Sequence, residues 1–257
     1  MLIKQDIASQ AGHWYEKNGA PAYQVQAGNG SIRATTLRDA RKLGLVPSVT
    51  TVLKVLAKPG LDAWIQQQTI LSAMTLPRLE GESLDDFAAR VILDSKAQGQ
   101  AAAQLGTEIH ASLDKAYSGL PYPPEHDVYV KAVQEAIFLK YGDQDWIAEA
   151  SFAHYAGYGG KVDLACSEVV IDFKTTAFNQ EKVDKKQVGG YDEHLAQLGA
   201  YREGLGFPNA KLANVYVSTS VPGLVYILEY SKEDSIKGFE VFSLALKLWK
   251  VIKGYEP

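Results

Sequence analysis

The stretch GGKVDLACSEVVIDFKTT, from Gly159 to Thr176, decides the fold. Lys161 to Ala165 and Val169 to Thr175 read as two short strands on either side of Ser167-Glu168. If Ser167-Glu168 is a two-residue turn, Cys166 faces Val169 and Asp163 falls opposite Asp172. Side chains alternate along a strand, so Lys174 shares the face of Asp172. One patch thus gathers two carboxylates and an ammonium. Val162, Leu164, Val170 and Ile171 place that patch on an interior sheet. Like charges directly opposite destabilise a sheet, more so away from water, unless they share a proton or hold a divalent cation between them. Carboxylate oxygens with a few waters are the ligands Mg²⁺ prefers. Lys174 can then stabilise a hydroxide nucleophile or the charge developing on a phosphate. Taken alone, the same letters fit an ordinary surface hairpin with a solvated Asp–Lys pair equally well.

Upstream of this hairpin, Trp146 to His154 alternates like a strand and carries Glu149, and Gly157, Gly159 and Gly160 predict a turn. Downstream, Lys182 to Lys186 reads as a polar loop and Tyr191 to Leu205 as a helix. Leu212 to Thr219 and Leu224 to Tyr230 read as strands around Pro222-Gly223. Lys232 to Lys253 is a closing helix with Phe239, Phe242, Leu246 and Trp249 on its apolar side. The first forty-five residues suggest loops or a short hairpin at Gly28 and Gly30. A short helix capped by Ser48 or Thr50 ends at Pro59-Gly60. Helices follow at Leu61 to Met74, about Leu84 to Ala97, Gln100 to Tyr117 with Gly106 interrupting, and Asp127 to Tyr141. This order predicts an α/β fold, a central mixed β-sheet flanked by helices with a helical N-terminal arm. It reads as one domain over 1–257, in which 1–142 form the mainly helical arm and wall and 143–257 the α/β core.

Of the 257 residues, 46% are hydrophobic and 22% charged, ordinary for a globular chain. A net charge of −4 counts against a pure nucleic-acid-binding module, which usually carries a basic excess. It does not count against a nuclease whose bound cations supply positive charge. The single cysteine, Cys166, excludes an intrachain disulfide framework and a four-cysteine zinc or iron–sulfur site. Met1 to Gln10 lacks the apolar core of a signal peptide, and no run of eighteen apolar residues occurs. The expectation is a soluble, cytoplasmic protein with no membrane partner.

Three features lie outside the hairpin: Gly106-Thr107-Glu108-Ile109-His110 in the alanine-rich helix, Glu149, and the helix face shared by His194, Gln197 and Tyr201. Taken in order, His110, Asp163, Asp172-Phe173-Lys174 and Gln197-x-x-x-Tyr201 resemble the PD-(D/E)XK nuclease superfamily. The likeness is closer to its RecB-like branch, which includes phage-type exonucleases and the mitochondrial genome-maintenance exonuclease. It spans Val46 to Tyr201, since VPSVTTVLKVL followed by a Trp is similar to the opening segment of such phage proteins. Asp172 rather than Glu before the lysine is a variant the motif name allows.

The resemblance implies a restriction-endonuclease-like core and a Mg²⁺-dependent DNA nuclease, with Mn²⁺ as a substitute and no iron–sulfur cluster. It favours an exonuclease on DNA ends or single strands, with a structure-specific endonuclease as the alternative. His110, Asp163, Asp172 and the Phe173 carbonyl would hold the metal, and Glu149 is a candidate further ligand. Lys174 would be the catalytic lysine, and Gln197 and Tyr201 would shape the site and contact the strand. A single-strand-binding or recombination protein is a candidate partner.

Ser48 and Thr50 are candidates for phosphate contact near a helix N-terminus, though plain capping is the stronger reading. Lys182, Lys185 and Lys186 fit either a loop tracking a DNA backbone or a solvated charge run. Tyr155 and Tyr158 fit either base stacking or cover for a sheet edge. Trp64, Trp146 and Trp249 are assigned to the core, and Cys166 receives no catalytic role. Two rivals remain at this stage, a catalytically silent nucleic-acid-binding or recombination partner and a hydrolase of small phosphorylated substrates.

Overall fold

A computed structural model describes residues 12–257, apart from the side chains at 98, 101 and 102, so the expectation for Met1 to Gln10 lies outside the described residues. From the N-terminus run β1 (Trp14–Tyr15), β2 (Gln24–Gln26), β3 (Ile32–Ala34), α1 (Leu37–Leu43), β4 (Val46–Pro47) and α2 (Val49–Leu53). Three long helices follow: α3 (Pro59–Thr75), α4 (Leu84–Tyr117) and α5 (Asp127–Tyr141). The sheet-forming half contains β5 (Ile147–His154), β6 (Tyr158–Ala165), β7 (Val169–Thr176), α6 (Gln180–Asp184), α7 (Asp192–Leu205), β8 (Lys211–Ser218), β9 (Val225–Glu229) and α8 (Lys232–Lys253). Among the described residues no helix is long and apolar enough to cross a membrane.

The five-stranded sheet has the order β5-β6-β7-β8-β9. Only β7 and β8 are parallel, because α7 carries the chain back across the sheet between them. The expected mixed sheet flanked by helices is therefore present. One face packs on α2, α7 and α8, where Val170 and Leu212 join Leu198, Phe242 and Trp249. The other packs on α4 and α5, where Ile171, Phe173 and Val215 join Ile109, Leu113 and Val133. Glycines set the spacing of α7 and α8. A Cβ at Gly199 would lie 2.6 Å from the Phe239 nitrogen, and one at Gly238 would lie 2.6 Å from the Leu195 oxygen.

Several local expectations change. Leu84 to Tyr117 is one continuous 34-residue helix rather than two. Gly106 does not interrupt it, and instead lets β7 come close, since a Cβ there would sit 2.4 Å from the Thr175 hydroxyl. Gly159 and Gly160 lie in β6 rather than in the turn, which is made at Gly157 with φ +85. The Lys182 segment begins as the short helix α6, capped by Asn179 accepting from the Lys182 nitrogen at 3.1 Å. Leu37–Leu43 forms a helix because Thr36 and Asp39 make a reciprocal capping box. Trp249 is buried and Trp146 packs partly against the core, but Trp64 is 42% exposed and leaves the predicted core.

Candidate active site

Leu164 pairs with Ile171 and Ala165 with Val170, which is the register that a Ser167-Glu168 turn dictates and puts Asp163 level with Asp172. Beyond those pairs the two strands part. The Phe173 N–H that would continue the ladder donates instead to Asp163 Oδ2 at 2.7 Å. Side-chain alternation in β6 also breaks here, since Val162 joins the α7 layer and Leu164 the α4 layer. On β5, Glu149 takes a left-handed φ of +54 at the same level, between the pairs Ala148–Leu164 and Ala150–Val162. The gap opens the sheet between Asp163, on the α4 side, and Asp172, on the α7 side.

On the α7 side of the gap, Asp172 is 2% exposed and its carboxylate is held by three donors. Lys174 Nζ lies 2.6 Å from Oδ2, Asn214 Nδ2 donates to Oδ2 at 2.8 Å, and Gln197 Nε2 donates to Oδ1 at 2.8 Å. The Gln197 amide is fixed in orientation, because Lys174 can only donate and does so to Oε1 at 3.1 Å. Its second N–H goes to the Tyr201 hydroxyl at 2.8 Å. Burial, then the nearby Asp172 and Asp163, pushes the Tyr201 phenol well up, so it stays protonated. Gln197 and Tyr201 are both buried, so they position Asp172 and Lys174 rather than contact a strand.

On the α4 side, His110 Nδ1 stands 3.9 Å from Asp163 Oδ2. Both line a cleft of about 300 Å³ with Thr107, Asp114 and Glu149. Glu149 is ion-paired with Lys161 on the same wall. Burial lowers the His110 pKa, with Lys174 acting in the same sense and Asp172 opposing it. Burial followed by the Asp172 charge raises Asp163. Among the described residues, no three His, Cys, Asp or Glu side chains stand as a ready metal cage. The donor types still fit a hard divalent ion: carboxylate oxygens, an imidazole kept neutral, and an excess of negative charge without an equal cation nearby.

The structure assigns other roles to several predicted contacts. Ser48 is 3% exposed and accepts from the Thr51 nitrogen at 3.0 Å, which is capping, while Thr50 is exposed on the first turn. Tyr158 cannot stack on a base. It is 1% exposed, packs edge-on to Phe242 at 4.7 Å, and donates to the Ala200 carbonyl. Lys182 lines a cleft with Lys174, whereas Lys185 pairs with Glu181 and Lys186 is exposed. Sequence reasoning misses Asn214, fully buried, oriented by the Tyr230 hydroxyl at 2.8 Å and bound to Asp172. Its only signal is a lone amide in the apolar strand Lys211–Ser218.

No family model and no curated protein matches the chain. Among solved structures it is similar to an alkaline exonuclease, LHK-Exo from Laribacter hongkongensis, at 15% identity and a TM-score of 0.38. That match covers 73% of this chain and 88% of the other. The same exonuclease in complex with dAMP matches at 17% identity and a TM-score of 0.37, with the same coverage. Likeness this loose carries neither activity nor residue roles across to this chain.

Proposed function

We propose that this chain is a metal-dependent deoxyribonuclease that hydrolyses phosphodiester bonds in single-stranded or end-containing DNA. The observation that carries the proposal is the Asp163–Asp172–Lys174 group at the parted strands, with Gln197 and Asn214 holding Asp172 and His110 facing Asp163. Lys174 is engaged by Asp172 and Lys161 by Glu149, so a further positive charge at Asp163 would stabilise the group.

Asp163, Asp172, His110 and the Phe173 carbonyl would hold Mg²⁺ or Mn²⁺, with Glu149 available once it leaves Lys161. When bound, the ion supplies positive charge at the scissile phosphate and acidity to a water. Lys174, fixed by Gln197, is placed to donate to the attacking water or to a phosphoryl oxygen as charge develops there. Tyr201 on the α7 face and Phe173 on the α4 face are both buried, which keeps these charges poorly screened.

The test compares the wild-type chain with Lys174→Ala and Asp172→Asn on linear and circular single-stranded DNA with Mg²⁺. Asparagine is used because alanine at 172 would orphan three buried donors and risk unfolding. Loss of one charge-stabilising group should cost a factor on the order of 10²–10³ in rate. Cleavage at wild-type rate by folded Asp172→Asn would refute the assignment. Hydrolysis of linear strands alone identifies an exonuclease, and equal cutting of circles an endonuclease.

A further inference from the structure

Two clefts lead away from Lys174 and share Thr176, Tyr191 and His194 in their walls. The nearer, about 270 Å³, also contains Lys174, Lys182 and Tyr216. The farther, about 820 Å³, opens at the root of the arm and is walled by Leu56, Lys58 and Trp64. The two clefts thus adjoin along Thr176, Tyr191 and His194, with Lys174 in one and Trp64, an indole the sequence would place in the core, in the other.

Trp64 is pinned rather than loose. A Cβ on Gly99 of α4 would lie 3.3 Å from Cη2 and 3.7 Å from Cζ3 of the indole, so the tip of its six-membered ring rests on that helix while the residue remains 42% exposed. Tyr191, 55% exposed, lies over Gly60 and meets His194 edge-on at 5.1 Å. Two held aromatic rings beside an apolar cleft are what an unpaired base requires, and every base offers a π-face. The charges separate base from backbone. Asp192 and Glu193 line the wide cleft and repel phosphate, and Glu193 is already engaged by Lys58 at 3.1 Å. The narrow one holds Lys182 and Lys174, the latter paired with Asp172 at 2.6 Å.

We propose that Trp64 and Tyr191 form a stacking subsite for an unpaired base of the strand whose phosphate backbone runs past Lys182 to Lys174. The subsite rests on the nuclease reading and narrows its substrate to single-stranded nucleic acid, because a paired base cannot enter the cleft.

The experiment measures binding by fluorescence anisotropy in EDTA, so that no cleavage is needed. The probes are a labelled thymidine oligomer of about a dozen nucleotides and an abasic strand of equal length. They are titrated with the wild-type chain, Trp64→Ala, Tyr191→Ala and Trp64→Phe. A stacked base is worth on the order of 1–3 kcal/mol, so Trp64→Ala should weaken thymidine binding about tenfold. It should leave the abasic strand's Kd unchanged, with Trp64→Phe restoring most of the loss and Tyr191→Ala behaving like Trp64→Ala. Equal losses on both strands, no loss on either, no detectable wild-type binding, or a change in oligomeric state on removing the indole would each overturn the subsite. A wild-type chain that binds with this signature yet never hydrolyses DNA with Mg²⁺ sinks the nuclease reading instead.

Discussion

In its C-terminal half α4 buries Ile109 and Leu113 completely, in the same core as Ile171 and Phe173. In its N-terminal half Leu84, Ile92 and Leu93 are 71%, 48% and 71% exposed, and its packing partner is α3. The two halves have similar apolar content and the same backbone. What separates them is whether a sheet lies underneath. The buried half carries His110 to Asp163, while the arm carries the surface on which Trp64 rests. Helix formation in the arm is sustained by the Ser83 cap, helix-favouring side chains and a narrow seam at Val91 and Ser95 rather than by a broad buried face.

This contrast can be broken by mutation. Leu113→Ala and Ile109→Ala should each cost about 2–5 kcal/mol of stability in urea titration, since their cavities cannot collapse between sheet and helix. Losses below about 0.5 kcal/mol would mean that this half is as loose as the arm. Gly199→Ala should cost about 1–3 kcal/mol, because its new methyl meets the Phe239 backbone rather than a flexible side chain. A thermal melt unchanged from wild type would disprove that close approach.

A smaller effect follows from His194, whose pKa is lowered from 6.5 to about 3 by burial, with Lys174 and Lys58 adding to the shift. The unfolded chain takes up this proton near the ordinary value and the folded chain does not. Its contribution to stability is thus complete above pH 6.5 and lost as pH falls towards 3. His194→Gln should flatten the stability profile over that window, and an identical profile would place the proton elsewhere. Smallest of all, Leu93→Ala in the arm should change stability by less than about 0.5 kcal/mol.

Much of the fold is legible because β5 to β9 and α7 obey simple periods and short turns. The Asp163–Asp172 register follows from two turn residues, and the meeting of Lys174, Gln197 and Tyr201 from strand alternation and helix spacing. The N-terminal half of α4 is harder to delimit, since its apolar residues do not make a buried stripe. Asn214 is invisible for a different reason, as its partner Asp172 is 42 residues away and no local pattern marks it. Tyr158 beside a glycine turn looks like surface until α8 brings Phe242 against it. The parting of β6 and β7 lies level with Glu149 on β5, whose left-handed conformation side-chain identity does not announce.

The unbroken course of α4 has a mechanical consequence. Gly99 and His110 are eleven residues apart, three turns and about 16 Å along the axis, and so fall on nearly the same side of the rod. Trp64 leans on this rod at Gly99, and Thr175 packs against it at Gly106, between Gly99 and the imidazole. On the proposed nuclease reading, capture of a strand at Trp64 and alignment of His110 would be ends of a single lever.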